Sequence, residues 1–110
     1  MAKRILQYLE ELSELDLRLE AVDATSYDDM NALIRSVDTS IGGCVLLSGL
    51  SSDRVFAHLS EDDFSKVFAP KIVGMEVLES VCNIPELDFL VALTSASGTY
   101  GIGGQTNYAA

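Results

Sequence analysis

Apolar residues Ile5, Leu6, Leu9 and Leu12 recur at helical spacing, with Lys3, Arg4, Gln7, Glu10 and Glu11 between them, and predict an amphipathic opening helix. Residues 17–23 instead alternate with period two, Leu17, Leu19 and Ala21 against Arg18, Glu20 and Val22, and predict a strand that Thr25 and Ser26 end with turn-forming, cap-forming side chains. Met30, Leu33, Ile34 and Val37 form the next helical stripe, with Asp28 and Asp29 in its first turn, where the helix dipole favours anions. After Gly42 and Gly43, the run Cys44, Val45, Leu46, Leu47 is continuously apolar, which predicts a strand covered on both faces. Ser60 and Asp63 have capping-box spacing and open a long helix that runs to about Cys82. Residues 87–93 form another apolar strand, and the tail from Ser95 to Asn107 is rich in Gly, Ser, Thr and Asn, as a loop is. Helices alternating with strands in this order predict an α/β fold with a parallel sheet, about three strands and three helices.

Composition narrows the function classes. The chain has 110 residues and a formal charge of −10, so it is one small acidic domain or part of one. Too few cations are present to release counterions from a phosphate backbone, which argues against nucleic acid as a partner. At 48% hydrophobic residues the chain lies outside the regime of disordered sequences, so a packed core is expected. The longest wholly apolar run, residues 89–93, is far short of the ~20 residues a membrane span needs, so no membrane partner is expected. Lys3 and Arg4 precede Ile5 and Leu6 as in a secretion signal, but Gln7, Glu10 and Glu11 interrupt it; the expectation is a cytoplasmic protein. Cys44 and Cys82 lack CxxC spacing and have only His58 for company, which favours buried thiols over a metal site, and no metal is expected.

Two features do not fit a plain core pattern. Phe64, Val67, Phe68, Met75 and Leu78 fall on one face of the long helix, and Lys71 falls on that same face. An ammonium there must snorkel to solvent or meet polar groups or a ligand. Pro70, just before it, removes an intrahelical hydrogen bond and predicts a kink that could redirect Lys71. The second feature is the cluster of hydroxyls from Thr94 to Thr99, directly beyond a strand's carboxyl end, the edge at which open α/β sheets bind ligands. Read from composition alone, the stretch is a connecting loop before it is a site, and its glycines do not fit G-x-G-x-x-G.

Residues 69–74 (Ala-Pro-Lys-Ile-Val-Gly), 94–98 (Thr-Ser-Ala-Ser-Gly) and 104–110 (Gly-Gln-Thr-Asn-Tyr-Ala-Ala) together resemble three consecutive blocks of the ketoreductase domain of polyketide synthases, in the short-chain dehydrogenase/reductase superfamily. The spacing agrees with that family's pattern: Lys71 precedes Ser95 by 24 positions, and Ser95 precedes Tyr108 by 13. The resemblance implies a Rossmann-like fold and a site that reduces a β-keto thioester, carried by an acyl carrier protein, with NADPH. Lys71, Ser95 and Tyr108 would be catalytic. Ser95 would donate a hydrogen bond to the substrate carbonyl and Tyr108 would supply the proton as an alkoxide forms. A free phenol titrates near ~10, and the Lys71 ammonium would favour its ionised form. Asp23 and Ala24, at the end of the first strand, would lie on the adenine side of the cofactor, and Gly49 would let the backbone approach it.

The chain departs from the family in several places. Leu46-Leu47-Ser48-Gly49 stands where the family has His-Ala-Ala-Gly, Ser51-Ser52-Asp53 keeps only the last acid of a Leu-Asp-Asp pattern, and Tyr100 stands where one stereochemical class has tryptophan, so the alcohol's configuration is not assigned. No glycine-rich cofactor loop precedes Leu17. In the strand order 3-2-1-4-5-6 the three predicted strands correspond to the third, fourth and fifth, so the fold is expected to be a partial Rossmann-like domain over residues 1–110, lacking the first two and the last strands and truncated at both ends. The strand at Leu17 is then expected to be poorly paired or forced beside the one at Cys44, and Tyr108 to hang on a frayed end. The reading is a segment of a synthase ketoreductase, the rest of the synthase being its partner; the alternative is a non-catalytic remnant or interaction module of the same fold.

Overall fold

The computed structural model describes residues 2–11 and 17–110. Its elements are α1 (Ala2–Glu11), α2 (Tyr27–Arg35), β1 (Gly43–Leu46), α3 (Glu61–Phe68), α4 (Ile72–Val81), β2 (Phe89–Ala92), and two helical turns, α5 (Ser97–Tyr100) and α6 (Thr106–Ala109). β1 and β2 pair in parallel, with Gly43 opposite Phe89 and Leu46 opposite Ala92. Parallel neighbours require a crossover, and α3 and α4 supply it. The fold is α/β, as the alternating pattern predicts.

The apolar core forms where α4 lies on α2 beneath the sheet. Met30, Val77, Leu78 and Cys82 are buried together, and Ala24, Leu33, Ile34, Cys44 and Leu90 pack around them. The sulfur atoms of Cys44 and Cys82 approach to 3.9 Å, and both thiols are free. Burial, followed by the neighbouring Cys44, pushes the Cys82 thiol up to about 11. It is therefore protonated and unreactive at neutral pH.

Four sequence expectations change. The tail from Ser95 to Asn107, expected as a loop, forms the helical turn α5 and the start of α6. Residues 17–23 form no strand: Leu19 and Val22 are exposed, and the stretch is tied down by Arg18, which donates to the Ser36 carbonyl at 2.8 Å and pairs with Glu20. A strand holds its shape through a neighbour's backbone groups, and among the described residues none lies beside this one. β1 is covered on one face only. Leu46 is buried against the helices, whereas Val45 is 52% exposed and Val91, opposite it, 41%. On that open face the Phe89 ring lies across Gly43, so close that a β-carbon there would sit 2.4 Å from the ring. Finally, the single long helix is two. Pro70 has no N–H to continue the ladder, the backbone turns through residues 69–71, and Lys71 becomes the residue that precedes α4.

The capping box at the start of α3 forms as its spacing predicts. Ser60 Oγ accepts from the Asp63 amide at 3.2 Å, and Asp63 Oδ2 accepts from the Ser60 amide at 3.0 Å and from the Ser60 hydroxyl at 2.7 Å. These bonds, the hydroxyl's first, hold the Asp63 carboxyl below its ordinary value of 3.8. A depressed carboxylate stabilises the fold above its unfolded pKa and loses that contribution as pH falls through the lower folded value. Acid unfolding followed by circular dichroism should therefore show stability declining below about pH 4 in the wild type, with a shallower decline in Asp63→Asn.

Candidate active site

β2 runs out at Ala92, but its ladder extends one residue further, because the Leu93 amide donates to the Leu46 carbonyl at 3.1 Å. That bond aims the Leu93 carbonyl toward the break between α3 and α4, where it accepts from the Lys71 ammonium. Lys71 is half-buried rather than free in solvent. The same break leaves the Pro70 carbonyl without an intrahelical partner, and the Ser48 hydroxyl, from the segment after β1, donates to it at 2.7 Å. Both strands' carboxyl ends are thus fastened to one helix break.

A cavity of about 480 Å³ opens at this edge, and Lys71, Ser95 and Tyr108 all line it, with Leu46, Met75 and Leu93 among its apolar walls. Gly49 lies at the mouth of the lysine and tyrosine pair: a methyl group added there would sit 3.9 Å from Lys71 Cε and 3.9 Å from Tyr108 Oη. Those are ordinary van der Waals distances, so the Gly49 backbone lies within one side chain's reach of both groups.

Asp23 and Ala24 do not share the cavity. Asp23 is exposed and folded back on its own turn, accepting from the Thr25 amide at 2.8 Å and the Thr25 hydroxyl at 2.7 Å, and these bonds hold its carboxyl below the ordinary value. Ala24 packs beside the core, its carbonyl 3.8 Å from where a Gly74 β-carbon would lie.

The segment that carries Tyr108 is held, contrary to the frayed end expected of it. After α5, Gly101 and Gly104 take φ of 70° and 81°, left-handed conformations that a side chain would strain, and turn the chain back. The Gly104 carbonyl accepts from the Arg54 amide at 2.8 Å. Thr106–Ala109 then forms a helical turn packed on α3, and Tyr108 is half-buried. Its anchor is Asn107, fully buried, whose Nδ2 donates to the Ser52 carbonyl at 3.1 Å and the Asp63 carbonyl at 3.4 Å. Arg54 also reaches Asp63 at 3.5 Å.

Asn107, Ser97, Gln105 and Ser48 were not singled out by sequence reasoning. Ser97 and Gln105 stand inside the blocks that carried the family resemblance, which marked the region without showing that Ser97 is 2% exposed or what it touches. Asn107 is a polar residue in a polar tail, and nothing in its spacing signals complete burial. Among the described residues no group of three or more His, Cys, Asp or Glu side chains could hold a metal, and no helix is long and apolar enough to cross a membrane.

A parallel crossover unit with a cavity at the carboxyl ends of its strands is the arrangement by which Rossmann-like folds bind ligands. The family model for the KR domain matches residues 1–110, and the chain belongs to that family. It is 39% identical over 104 residues to the highly reducing polyketide synthase stpks1 of Strobilurus tenacellus, covering 94% of this chain and 4% of that protein. It is 37% identical over 93 residues to the highly reducing polyketide synthase GPY1 of Gibberella fujikuroi, covering 84% of this chain and 4% of that one. Among solved structures it resembles an N-terminal ketoreductase from the macrolactin assembly line, with 26% identity and a TM-score of 0.85, over 98% of this chain and 23% of that one. A ketoreductase domain from the bacillaene assembly line gives 27% identity and a TM-score of 0.84, over 97% of this chain and 26% of that one. The chain therefore spans a small part of the synthases and about a quarter of the solved ketoreductases.

The Asn107 anchor makes a direct prediction. Asn107→Asp keeps the shape but replaces the two donated hydrogen bonds with a buried acceptor facing two carbonyls. Thermal or urea unfolding should show a loss on the order of 1–3 kcal/mol or more, exceeding that of the exposed control Thr106→Ala.

Proposed function

We propose that this chain is a catalytic segment of a polyketide synthase ketoreductase, which reduces a β-keto thioester to the β-hydroxy compound. The observation that carries the reading is the meeting of Lys71, Ser95 and Tyr108 on one cavity at the carboxyl edge of the sheet, with Gly49 open between the lysine and the phenol. The substrate's ketone would sit between Ser95 and Tyr108. Ser95 donates a hydrogen bond to its oxygen, and Tyr108 delivers the proton as negative charge grows there, so the donors already point at the charge they stabilise. The Lys71 ammonium, held by the Leu93 carbonyl, would supply positive charge to the same cavity.

The cofactor of this reading is NADPH, which supplies the hydride. Gly49, which has no side chain and lies near Lys71 and Tyr108, would let the backbone approach it, and Asp23 and Ala24 would meet its adenine side. The 110 residues contain no G-x-G-x-x-G to receive the pyrophosphate on a helix N-terminus, so these residues hold part of the cradle. The ketone would arrive as a thioester on an acyl carrier protein, and the rest of the domain would come from the synthase.

Two measurements test this. The isolated 110-residue chain should show no NADPH oxidation with a β-keto thioester. A complete ketoreductase domain in which residues 1–110 replace the matching stretch should turn over, and Tyr108→Phe should lower kcat by roughly 10²-fold or more. Turnover that Tyr108→Phe leaves unchanged would refute the assignment, and a folded but inactive spliced domain would favour a non-catalytic remnant.

A further inference from the structure

Ser97 is 2% exposed, and its hydrogen bonds form a chain that ends on a charge. Ser95 Oγ lies 3.1 Å from Ser97 Oγ and 3.2 Å from the Ser97 amide nitrogen. Ser97 Oγ lies 2.9 Å from Gln105 Oε1, and Gln105 Nε2 lies 3.0 Å from Asp53 Oδ2. The direction of every bond follows from the far end. The Asp53 carboxylate can only accept, so the Gln105 amide must turn its NH₂ toward it and its carbonyl toward Ser97. Ser97 has one hydroxyl proton and spends it on that carbonyl. Toward Ser95 it is left as an acceptor, so the Ser95 hydroxyl donates to Ser97 while the Ser97 amide donates to Ser95 Oγ.

We propose that Ser97 is a positioning residue for Ser95, held in that role by Gln105 and Asp53. This rests on the ketoreductase reading and adds to it residues that never touch the substrate. The Ser97 amide fixes where Ser95 Oγ sits, and the Ser97 hydroxyl holds Ser95 in the rotamer that faces the cavity. A carbonyl oxygen entering the cavity then needs only a rotation of the Ser95 hydroxyl, from Ser97 to itself, with no movement of the oxygen atom. The network also ties the segment after β1, through Asp53, to the turn that carries Tyr108, so the two donors keep one spacing.

The test uses the spliced ketoreductase domain and a double-mutant cycle. Ser97→Ala should lower kcat roughly tenfold, about the worth of one hydrogen bond, and leave KM for NADPH unchanged; Ser97→Thr, which keeps the hydroxyl, should restore most of the loss. Asp53→Asn still accepts from Gln105 and should stay near wild type, whereas Asp53→Ala should resemble Ser97→Ala. In a Ser95→Ala background Ser97→Ala should cost nothing further in kcat, although its effect on melting temperature persists. A purely structural role would instead multiply the losses, and that result, or a wild-type kcat in Ser97→Ala, overturns the proposal. If Ser95→Ala itself leaves kcat unchanged, the ketoreductase reading fails, and the network is judged on the 110-residue chain by nuclear magnetic resonance. There a Ser97 hydroxyl proton in slow exchange with water, lost in Gln105→Leu, supports it, and rapid exchange rejects it.

Discussion

The parallel pairing of β1 with β2 is the constraint on which the rest of the site depends. Because the strands run the same way, their carboxyl ends emerge on one edge, and the register that sets Leu46 opposite Ala92 brings Gly49 and Ser95 to the same side within a few residues. An antiparallel pair would have sent them to opposite edges. The crossover that parallel pairing demands is also what carries Lys71 there: the chain must travel back along the sheet, and Pro70 breaks that return helix beside the strands' ends. Two bonds then lock the arrangement, Ser48 to the Pro70 carbonyl and Lys71 to the Leu93 carbonyl. Each satisfies a backbone acceptor that a helix break or strand end leaves without a ladder partner.

The tail is held by polar rather than apolar contacts. Six glycine, serine and threonine residues from Ser97 to Gly104 cannot bury much hydrocarbon, so the segment depends on hydrogen bonds, most of them part-buried, where losing one is costly. Asn107 carries most of that demand. Its Nδ2 bridges the Ser52 and Asp63 carbonyls, while its own Oδ1 is buried without a partner, which costs part of what those two bonds contribute. Asp63 serves twice, capping α3 with its side chain and receiving Asn107 on its carbonyl.

The outer face of the sheet shows a different economy. Phe89, Val91 and Val45 stand exposed on a two-stranded ribbon, although the unbroken apolar run at Cys44 has the composition of a strand buried on both sides. The same mismatch explains residues 17–23, whose alternation is that of a strand but which have no neighbouring strand to pair with among the described residues. Local pattern states what a segment suits; a ladder forms only where a second strand is present.

Sequence alone determined the α/β class, the helix starting at Ser26, the capping box at Ser60 and a kink at Pro70 that the fold widens into a full break, because caps, prolines and apolar periodicity act over a few neighbouring residues. It also marked Lys71 as an anomaly on an apolar stripe, and the family resemblance tied that lysine to Ser95 and Tyr108. Tertiary structure decided which groups meet: the Leu93 carbonyl under the ammonium, Gly49 between lysine and phenol, Asn107 beneath the tyrosine's turn, and Ser97 between Ser95 and Gln105. Apart from Ser95 with Ser97, those contacts join residues at least eight positions apart, 55 in the case of Asn107 and Ser52, and no local rule reaches so far. They exist because two parallel strands and a broken crossover helix bring distant backbone to one edge, where unpaired carbonyls and hydroxyls had to find one another.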